Sequence, residues 1–329
     1  MSPARIGVVI HTKLRDALFT REDQARLDGL GEVVWTDSPG PISVSQACRI
    51  LSDCQVGLGS WGTPHPCVEL VDACPKLRLW EHVAGTVKHM FGPHMDGRDL
   101  IIASCKPANA DNVAAFTLGQ IIMGLWRVFE NARANRGGRT GHPPNLKVLF
   151  GATVGVIGAS HIGRRVIRLL RPSGCEILLY DPFVSAEKAR EMGAAPVADL
   201  TELCRRSDVV TLHAPAVPST EKMLGARQFR AMRDDAIFIN TARGMCIDEA
   251  ALIAELAAGR LFALLDVTEP EPAADDSPLR KLPNVVLTSH IAGVAAFNFG
   301  RQAVDDVEAF LNGRSPMCVA RSEELERMA

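Results

Sequence analysis

The 329 residues are enough for two ordinary domains, and 47% hydrophobic against 22% charged residues excludes a disordered chain. Thirty-six basic and 38 acidic residues give a formal net charge of −2, so there is no bulk electrostatic case for nucleic acid or an anionic membrane as partner. Nine cysteines, an odd number with no C-x-x-C pair and no Cys/His zinc spacing, read as reduced thiols in or near cores, with no metal site. The N-terminal apolar run stops at His11, too short for a signal-peptide core. No run approaches the roughly 20 apolar residues of a spanning helix. A soluble, cytoplasmic protein is therefore expected.

Along the chain, Arg5–Ile10, Glu32–Trp35, Gln55–Gly59, Leu77–His82 and Leu100–Ser104 read as short strands. Helix-like segments at Thr20–Leu30, Ser43–Ser52 and Pro66–Ala73 lie between them, and Thr20 with Asp23 has the form of a helix N-cap turn. This alternation predicts a parallel sheet with covering helices. Ala110–Ala134 reads as one long apolar helix, closed by the basic, glycine-rich stretch Arg136–Gly141 and by His142-Pro143-Pro144. A second α/β unit begins near Lys147. Its expected strands are Thr153–Ile157, Glu176–Tyr180, Asp208–His213, Ala236–Asn240, Leu261–Val267 and Asn284–Thr288. Gly293–Asn312 reads as one more long helix, and the charged tail to Ala329 is expected to pack on the surface.

The segment from Val154 to Gly163 follows a strand and opens a helix, as a dinucleotide fingerprint requires. Gly158 permits the tight strand-to-helix turn, and Gly163 permits close packing of helix on sheet. A pyrophosphate would sit at the helix N-terminus, where unpaired N–H groups and the dipole favour an anion. Ser160 replaces the usual middle glycine; it is small, and its hydroxyl can donate to a phosphate oxygen. Asp181 ends the next strand, where a carboxylate accepts hydrogen bonds from ribose hydroxyls and repels a 2′-phosphate. Pro182 and Phe183 follow, so no arginine clamp is at hand, and NAD is favoured over NADP.

Three later segments each fall just past a predicted strand: Ile239–Gly244 with Arg243, Leu265–Pro272 with Asp266, Glu269 and Glu271, and Leu287–Gly293 with His290. In open α/β sheets ligands bind at those ends. A guanidinium suits bidentate grip on a carboxylate, an imidazole suits proton transfer near neutral pH, and a carboxylate can orient that imidazole. Taken residue by residue, Glu269 and Glu271 compete for the last role.

With these motifs in this order, the sequence resembles the D-isomer-specific 2-hydroxyacid dehydrogenases, over nearly the whole chain and most strongly from Thr153 to Gly293. The resemblance implies two doubly wound α/β domains separated by a cleft: a discontinuous flavodoxin-like substrate domain (1–109 plus 300–329) and a Rossmann NAD-binding domain (110–299). It implies hydride transfer between NAD(H) and a 2-hydroxy/2-oxo acid pair, D-specific. Arg243 would hold the substrate carboxylate and polarise the 2-oxo group. His290 would be the acid/base, and Glu271, at the family spacing from Asp266, would orient it. Cofactor contacts are implied for Gly158, Ser160, His161, Ile162 and Gly163, and for Asp181. Further contacts are implied for His213, Pro215 and Thr220, for Thr241 and Asp266, and for His290 and Gly293.

Substrate contacts are implied for Ala84 and Gly85 in the Val83–Thr86 loop and for Trp61 on a second wall, beside Arg243. Two departures bear on the substrate. Gly85-Thr86-Val87-Lys88-His89 replaces the usual Gly-Asp-Asn run, and Ala115 stands where a glutamate is common. Lys88 and His89 read as solvated charges, with an extra anionic group on the substrate as the alternative. The family commonly dimerises through the cofactor domain, and the apolar Phe116–Phe129 fits such a homodimer interface. Two other readings stay open: a phosphite-oxidising relative, and a nicotinamide-sensing binding protein of the corepressor kind.

Overall fold

The computed structural model describes residues 3–294 and 297–322. The chain folds as two compact units, Met1–Asn109 with Ala296–Ala329, and Ala110–Ala295.

In the first unit the strands are β1 (Arg5–Val8), β2 (Glu32–Trp35), β3 (Val56–Gly59), β4 (Leu79–His82) and β5 (Ile101–Ser104). They lie parallel in the order β5-β4-β3-β1-β2. The helices are α1 (Thr12–Leu18), α2 (Arg21–Asp28), α3 (Val44–Leu51) and α4 (Val68–Ala73). Every strand expected here is present, shortened except for Glu32–Trp35. Helix α1 was not foreseen; His11, where the apolar run stops, caps it by accepting from the Leu14 N–H. Thr20 and Asp23 form a reciprocal capping box on α2, with N–H···O distances of 3.1 and 2.9 Å. Ser43 and Gln46 do the same for α3. Each such cap is worth about 1 kcal/mol.

Alternate residues of the strands enter two cores. Ile6, Val8, Val56, Leu58 and Leu79 face one side, and Val9, Trp80 and Ile102 the other. The glycines of the Val-Gly-Leu-Gly strand make room for Trp80. A Cβ on Gly57 would lie 2.9 Å from the indole and one on Gly59 only 2.3 Å. A strand glycine here marks a close approach, not a weakness.

The boundary between the units falls within α5 (Lys106–Leu125), which is followed by α6 (Val128–Arg136). The single helix expected over Ala110–Ala134 is thus two helices bent by 60°. Arg127 causes the break: its backbone is left-handed (φ 50°), which turns the side chain inward. The guanidinium lies 3.4 Å from the Phe262 ring centroid and donates to the Asp235 carbonyl at 2.5 Å. Among the described residues no single helix is long and apolar enough to cross a membrane; the bent pair passes by length and composition only.

The second unit carries β6 (Thr153–Ile157), α7 (His161–Leu170), β7 (Glu176–Tyr180), α8 (Ala186–Glu191), β8 (Ala195–Pro196) and α9 (Leu200–Arg206). It continues with β9 (Val209–Leu212), α10 (Ala226–Ala231), β10 (Ile237–Asn240), α11 (Glu249–Ala257), β11 (Phe262–Leu265) and β12 (Val285–Leu287). All seven strands are parallel, in the order β12-β11-β10-β9-β6-β7-β8. The sequence reverses direction between β6 and β9, the switch point at which such sheets bind ligands. Two apolar cores cover its faces, one around Phe229, Phe238 and Leu252, the other around Val154, Val166 and Ile239.

The chain returns to the first unit with α12 (Phe299–Leu311) and β13 (Val319–Ala320). The helix expected from Gly293 starts later, at Phe299, after Asn298 in a left-handed conformation. The Ile291 and Ala292 N–H groups, just before this point, are bound to the Asp266 carboxylate. The tail does more than lie on the surface: β13 pairs antiparallel with β5, and Ala320 is buried. The rest of the charged tail, 323–329, lies outside the described residues.

Candidate active site

The dinucleotide turn has the geometry its sequence predicts. Gly158 adopts φ +88°, which an L side chain rarely tolerates. A Cβ on Gly163 would stand 1.9 Å from the Gly158 carbonyl oxygen, so α7 can approach the turn only with glycine there. Ser160 is the N-cap of α7, and its Oγ accepts from the Gly163 N–H at 3.4 Å. That contact tucks the side chain along its own helix. The hydroxyl proton remains available, so serine in place of glycine does not fill the anion position. His161 is exposed and Ile162 half-buried on the first turn of α7.

Asp181 closes the turn from the next strand. Its Oδ2 accepts the Ala159 N–H at 2.7 Å and its Oδ1 the Phe183 N–H at 2.8 Å. Two anchored oxygens still have lone pairs to offer ribose hydroxyls. Cofactor and protein thus fit: a glycine turn, an unobstructed helix N-terminus and a fixed carboxylate at the neighbouring strand end.

Beyond β9, His213 is buried and its Nε2 is 2.9 Å from the Thr211 hydroxyl, while Nδ1 has no partner. Burial pushes this imidazole down to about 3, so it is neutral. The Thr220 hydroxyl donates to the Pro215 carbonyl at 2.6 Å, folding that loop on itself. Thr241 is buried, 3.3 Å from the Thr117 hydroxyl.

The strands β10, β11 and β12 are parallel neighbours, so the loops that follow them share one edge. Arg243 follows β10. Asn240 shapes its loop by donating to the Arg243 carbonyl and accepting from the Ala242 N–H, both at 3.0 Å. The half-buried Arg243 side chain donates to the Ala242 carbonyl and pairs with no carboxylate among the described residues. Gly244 packs against the loop after β11: a Cβ there would lie 2.2 Å from the Thr268 carbonyl group. The Glu269 N–H donates to the Glu249 carboxylate at 3.1 Å, a second tie between the two loops.

His290 follows β12 in a left-handed conformation (φ 53°), and its Nδ1 lies 2.5 Å from Glu271 Oε1. Glu271, not Glu269, makes this bond. The ring's Nε2 is thereby left for a ligand, the arrangement in which a carboxylate fixes the tautomer of an acid/base imidazole. Asp266 is nearly fully buried, and its own loop uses most of its capacity. Thr288 Oγ1 and the Ile291 and Ala292 N–H groups donate to its carboxylate. Gly293 lies in the turn just beyond. Asn240, Gly244, Glu249 and Thr288 were not singled out from the sequence. Their signal was position alone, each beside a residue that was.

In the first unit the Val83–Thr86 loop follows β4. Ala84 is buried and its N–H turns back onto the His82 carbonyl at 2.6 Å, so it is not free for a substrate. The Gly85 N–H has no acceptor among the described residues. A Cβ on Gly85 would meet Asn109 Nδ2 at 2.9 Å, and Asn109 Oδ1 is itself unpartnered. Trp61 is 40% exposed and meets Phe299 edge to face at 5.5 Å.

Comparison with known proteins identifies the family. The family model described as "D-isomer specific 2-hydroxyacid dehydrogenase, NAD binding domain" matches residues 118–292. The chain belongs to that family. A D-3-phosphoglycerate dehydrogenase of Methanocaldococcus jannaschii is 36% identical over 224 residues, covering 68% of this chain but 43% of its own length. The chain thus spans under half of that relative. A glyoxylate reductase of Korarchaeum cryptofilum is 31% identical over 299 residues, 88% of this chain and 89% of its own. The D-mandelate dehydrogenase structure from Rhodotorula graminis shares the fold, with a TM-score of 0.79 at 23% identity over 97% of this chain and 98% of that one.

Proposed function

We propose that the protein interconverts a 2-hydroxy acid and its 2-oxo acid with NAD(H), with D specificity. The observation that carries this reading is the 2.5 Å bond between His290 and Glu271 at the strand edge that also bears the unpaired Arg243. When bound, the nicotinamide supplies or accepts the hydride. Arg243 binds the substrate carboxylate and draws electron density from the 2-oxo group. His290 Nε2 donates a proton to the carbonyl oxygen in reduction and removes it from the hydroxyl in oxidation, while Glu271 holds the ring through Nδ1. In the first unit, the Gly85 N–H, Ala84 and Trp61 are assigned to substrate binding.

The unit Ala110–Ala295 is then the cofactor domain, and Met1–Asn109 with Ala296–Ala329 the substrate domain. Gly158, Ser160, His161, Ile162 and Gly163 cradle the pyrophosphate, and Asp181 reads the ribose. His213, Pro215 and Thr220, with Thr241, Asp266 and Gly293, line the way to the nicotinamide.

A homodimer is supported by exposed apolar side chains on the second unit: Ile122, Met123, Trp126 and Val128, with Val148 and Phe150, the last 77% exposed. Apolar patches of this kind mark association sites. Light scattering on Trp126→Glu, expected to be monomeric, checks this. A cytoplasmic setting is supported by nine free cysteines.

The test of function is NADH and NADPH consumption across small, aromatic, dicarboxylic and phosphorylated 2-oxo acids, with His290→Ala as control. Turnover that the variant lacks supports the reading. No turnover with any acid, NADH still binding, would remove it.

A further inference from the structure

Glu271 sits on a stretch of backbone that cannot hold itself. Among the described residues, no backbone–backbone hydrogen bond involves any position from Val267 to Ala273. Pro270 and Pro272 stand on either side of Glu271 and have no N–H to give. Glu269, Pro270, Glu271 and Pro272 are all exposed. Yet Glu271 Oε1 is held 2.5 Å from His290 Nδ1. With the backbone unpaired, that order has to come from side chains.

Two side chains supply it, one on each side of Glu271. Upstream, Glu249 at the start of α11 accepts the Glu269 N–H at 3.1 Å. Downstream, Arg280 reaches back along the chain: its Nε donates to the Ala274 carbonyl at 2.9 Å and its Nη2 to the Ala273 carbonyl at 2.6 Å. Between them, Thr268 Oγ1 donates to the Pro270 carbonyl at 2.8 Å and tightens the stretch locally.

Neither contact serves the element that its side chain comes from. A helix dipole favours an acid in the first turn, but that needs no bond outside the helix. Glu249 is instead half-buried and spans to another loop. Burial raises its pKa and the Glu269 carboxylate adds to this, while the Glu269 N–H opposes them. Arg280 passes over the adjacent Asp275 and Asp276 and spends its fork on two carbonyls.

We propose that Glu249 and Arg280 are positioning residues, which clamp Glu269–Ala274 so that Glu271 meets His290 Nδ1 and fixes which ring nitrogen carries the proton. Gly244 packs against the Thr268 carbonyl, so the clamp also keeps the Glu271 loop in register with the loop that bears Arg243. That the pair transfers a proton to substrate rests on the dehydrogenase reading; the clamp itself does not.

The full-length protein is tested with Glu249→Ala, Glu249→Gln and Arg280→Ala, beside Glu271→Ala as reference. Without substrate or cofactor, the tautomer of the His290 ring is read by 1H–15N NMR at alkaline pH, where an imidazole is neutral. The signal is the one missing in His290→Ala. In the wild type the proton should sit on Nδ1. Glu249→Ala and Arg280→Ala should move the ring toward the tautomer mixture of Glu271→Ala. Glu249→Gln keeps an acceptor oxygen and should keep the wild-type signature. A tautomer unmoved in both alanine variants overturns the clamp, whatever happens to their melting temperatures, and so does a Glu249→Gln that behaves like Glu249→Ala. In parallel, kcat should fall about tenfold in the two alanine variants, the worth of a hydrogen bond to a charged group, with the KM for NADH unchanged. A raised KM at unchanged kcat overturns the assignment to the catalytic pair. A shifted tautomer in a protein that turns over no 2-oxo acid would uphold the clamp and reject the dehydrogenase reading.

Discussion

Asp266 holds His290 in place from beneath. The Asp266 carbonyl accepts the His290 N–H at 2.8 Å, and its carboxylate accepts the next two N–H groups, from Ile291 and Ala292, at 2.9 Å each. An imidazole in a left-handed backbone conformation is thus tied to the end of β11, from which its partner Glu271 also departs. Asp266→Asn should break this, because an amide nitrogen would face the Ala292 N–H. The expected loss is about tenfold or more in kcat, with about 1–3 kcal/mol of stability lost as well, because a buried N–H loses its acceptor. Full activity in that variant would show that the loop holds itself.

His290→Ala should reduce kcat by roughly 10²–10⁴, the range for a removed general acid/base. Glu271→Gln should cost less, and the double variant no more than His290→Ala alone, because residues acting as a unit are not additive. Steady-state kinetics of the three variants decide it. Additive losses would place Glu271 outside the pair.

Asp181→Ala should raise the KM for NADH more than that for NADPH and so narrow the preference between them. It also frees the Ala159 and Phe183 N–H groups, so both cofactors should weaken somewhat. An unchanged ratio of kcat/KM values for the two would mean that Asp181 serves only the turn.

Glu81 is fully buried on β4, with one oxygen 3.4 Å from the Cys105 thiol and the other unpartnered. Burial, with Asp306 nearby, raises its pKa well above the ordinary carboxylate range. The folded protein therefore keeps a proton that the unfolded chain releases. This contribution to stability is complete below the unfolded pKa, about 4.3, and is lost as pH rises toward the folded value. Glu81→Gln has no such proton to lose. Its melting temperature should gain on the wild type steadily from pH 5 to pH 8. Parallel curves would show that Glu81 is not held neutral.

The parallel strands and the three loops at their ends were legible because apolar runs, turn residues and motif order all repeat along one sheet. Arg243 and His290 stood out for the same reason. Residue chemistry alone left Glu269 and Glu271 in competition; the family spacing from Asp266 pointed to Glu271, and it is Glu271 that turns to His290 in the folded loop. The bend at Arg127 was hidden because a left-handed arginine leaves no trace in a helical pattern. Strand β13, two residues long, gains its pairing from β5 and carries no periodicity of its own. The late start of α12, at Phe299 after a left-handed Asn298, likewise leaves no mark in the helical pattern. The tight turn in which the Ala84 N–H meets the His82 carbonyl was also not visible in the sequence.

The indole of Trp80, enclosed against Gly57 and Gly59, gives the molecule a built-in optical label. Of its four tryptophans, Trp35, Trp61 and Trp80 belong to the first unit, while the second has only the half-exposed Trp126. Trp80 Nε1 meets no acceptor among the described residues, so its emission is that of an indole in a dry surround. Melting of the first unit will shift the fluorescence strongly to the red, whereas melting of the second will leave it nearly unchanged. Intrinsic fluorescence therefore reports the melting of the first unit by itself, without any dye.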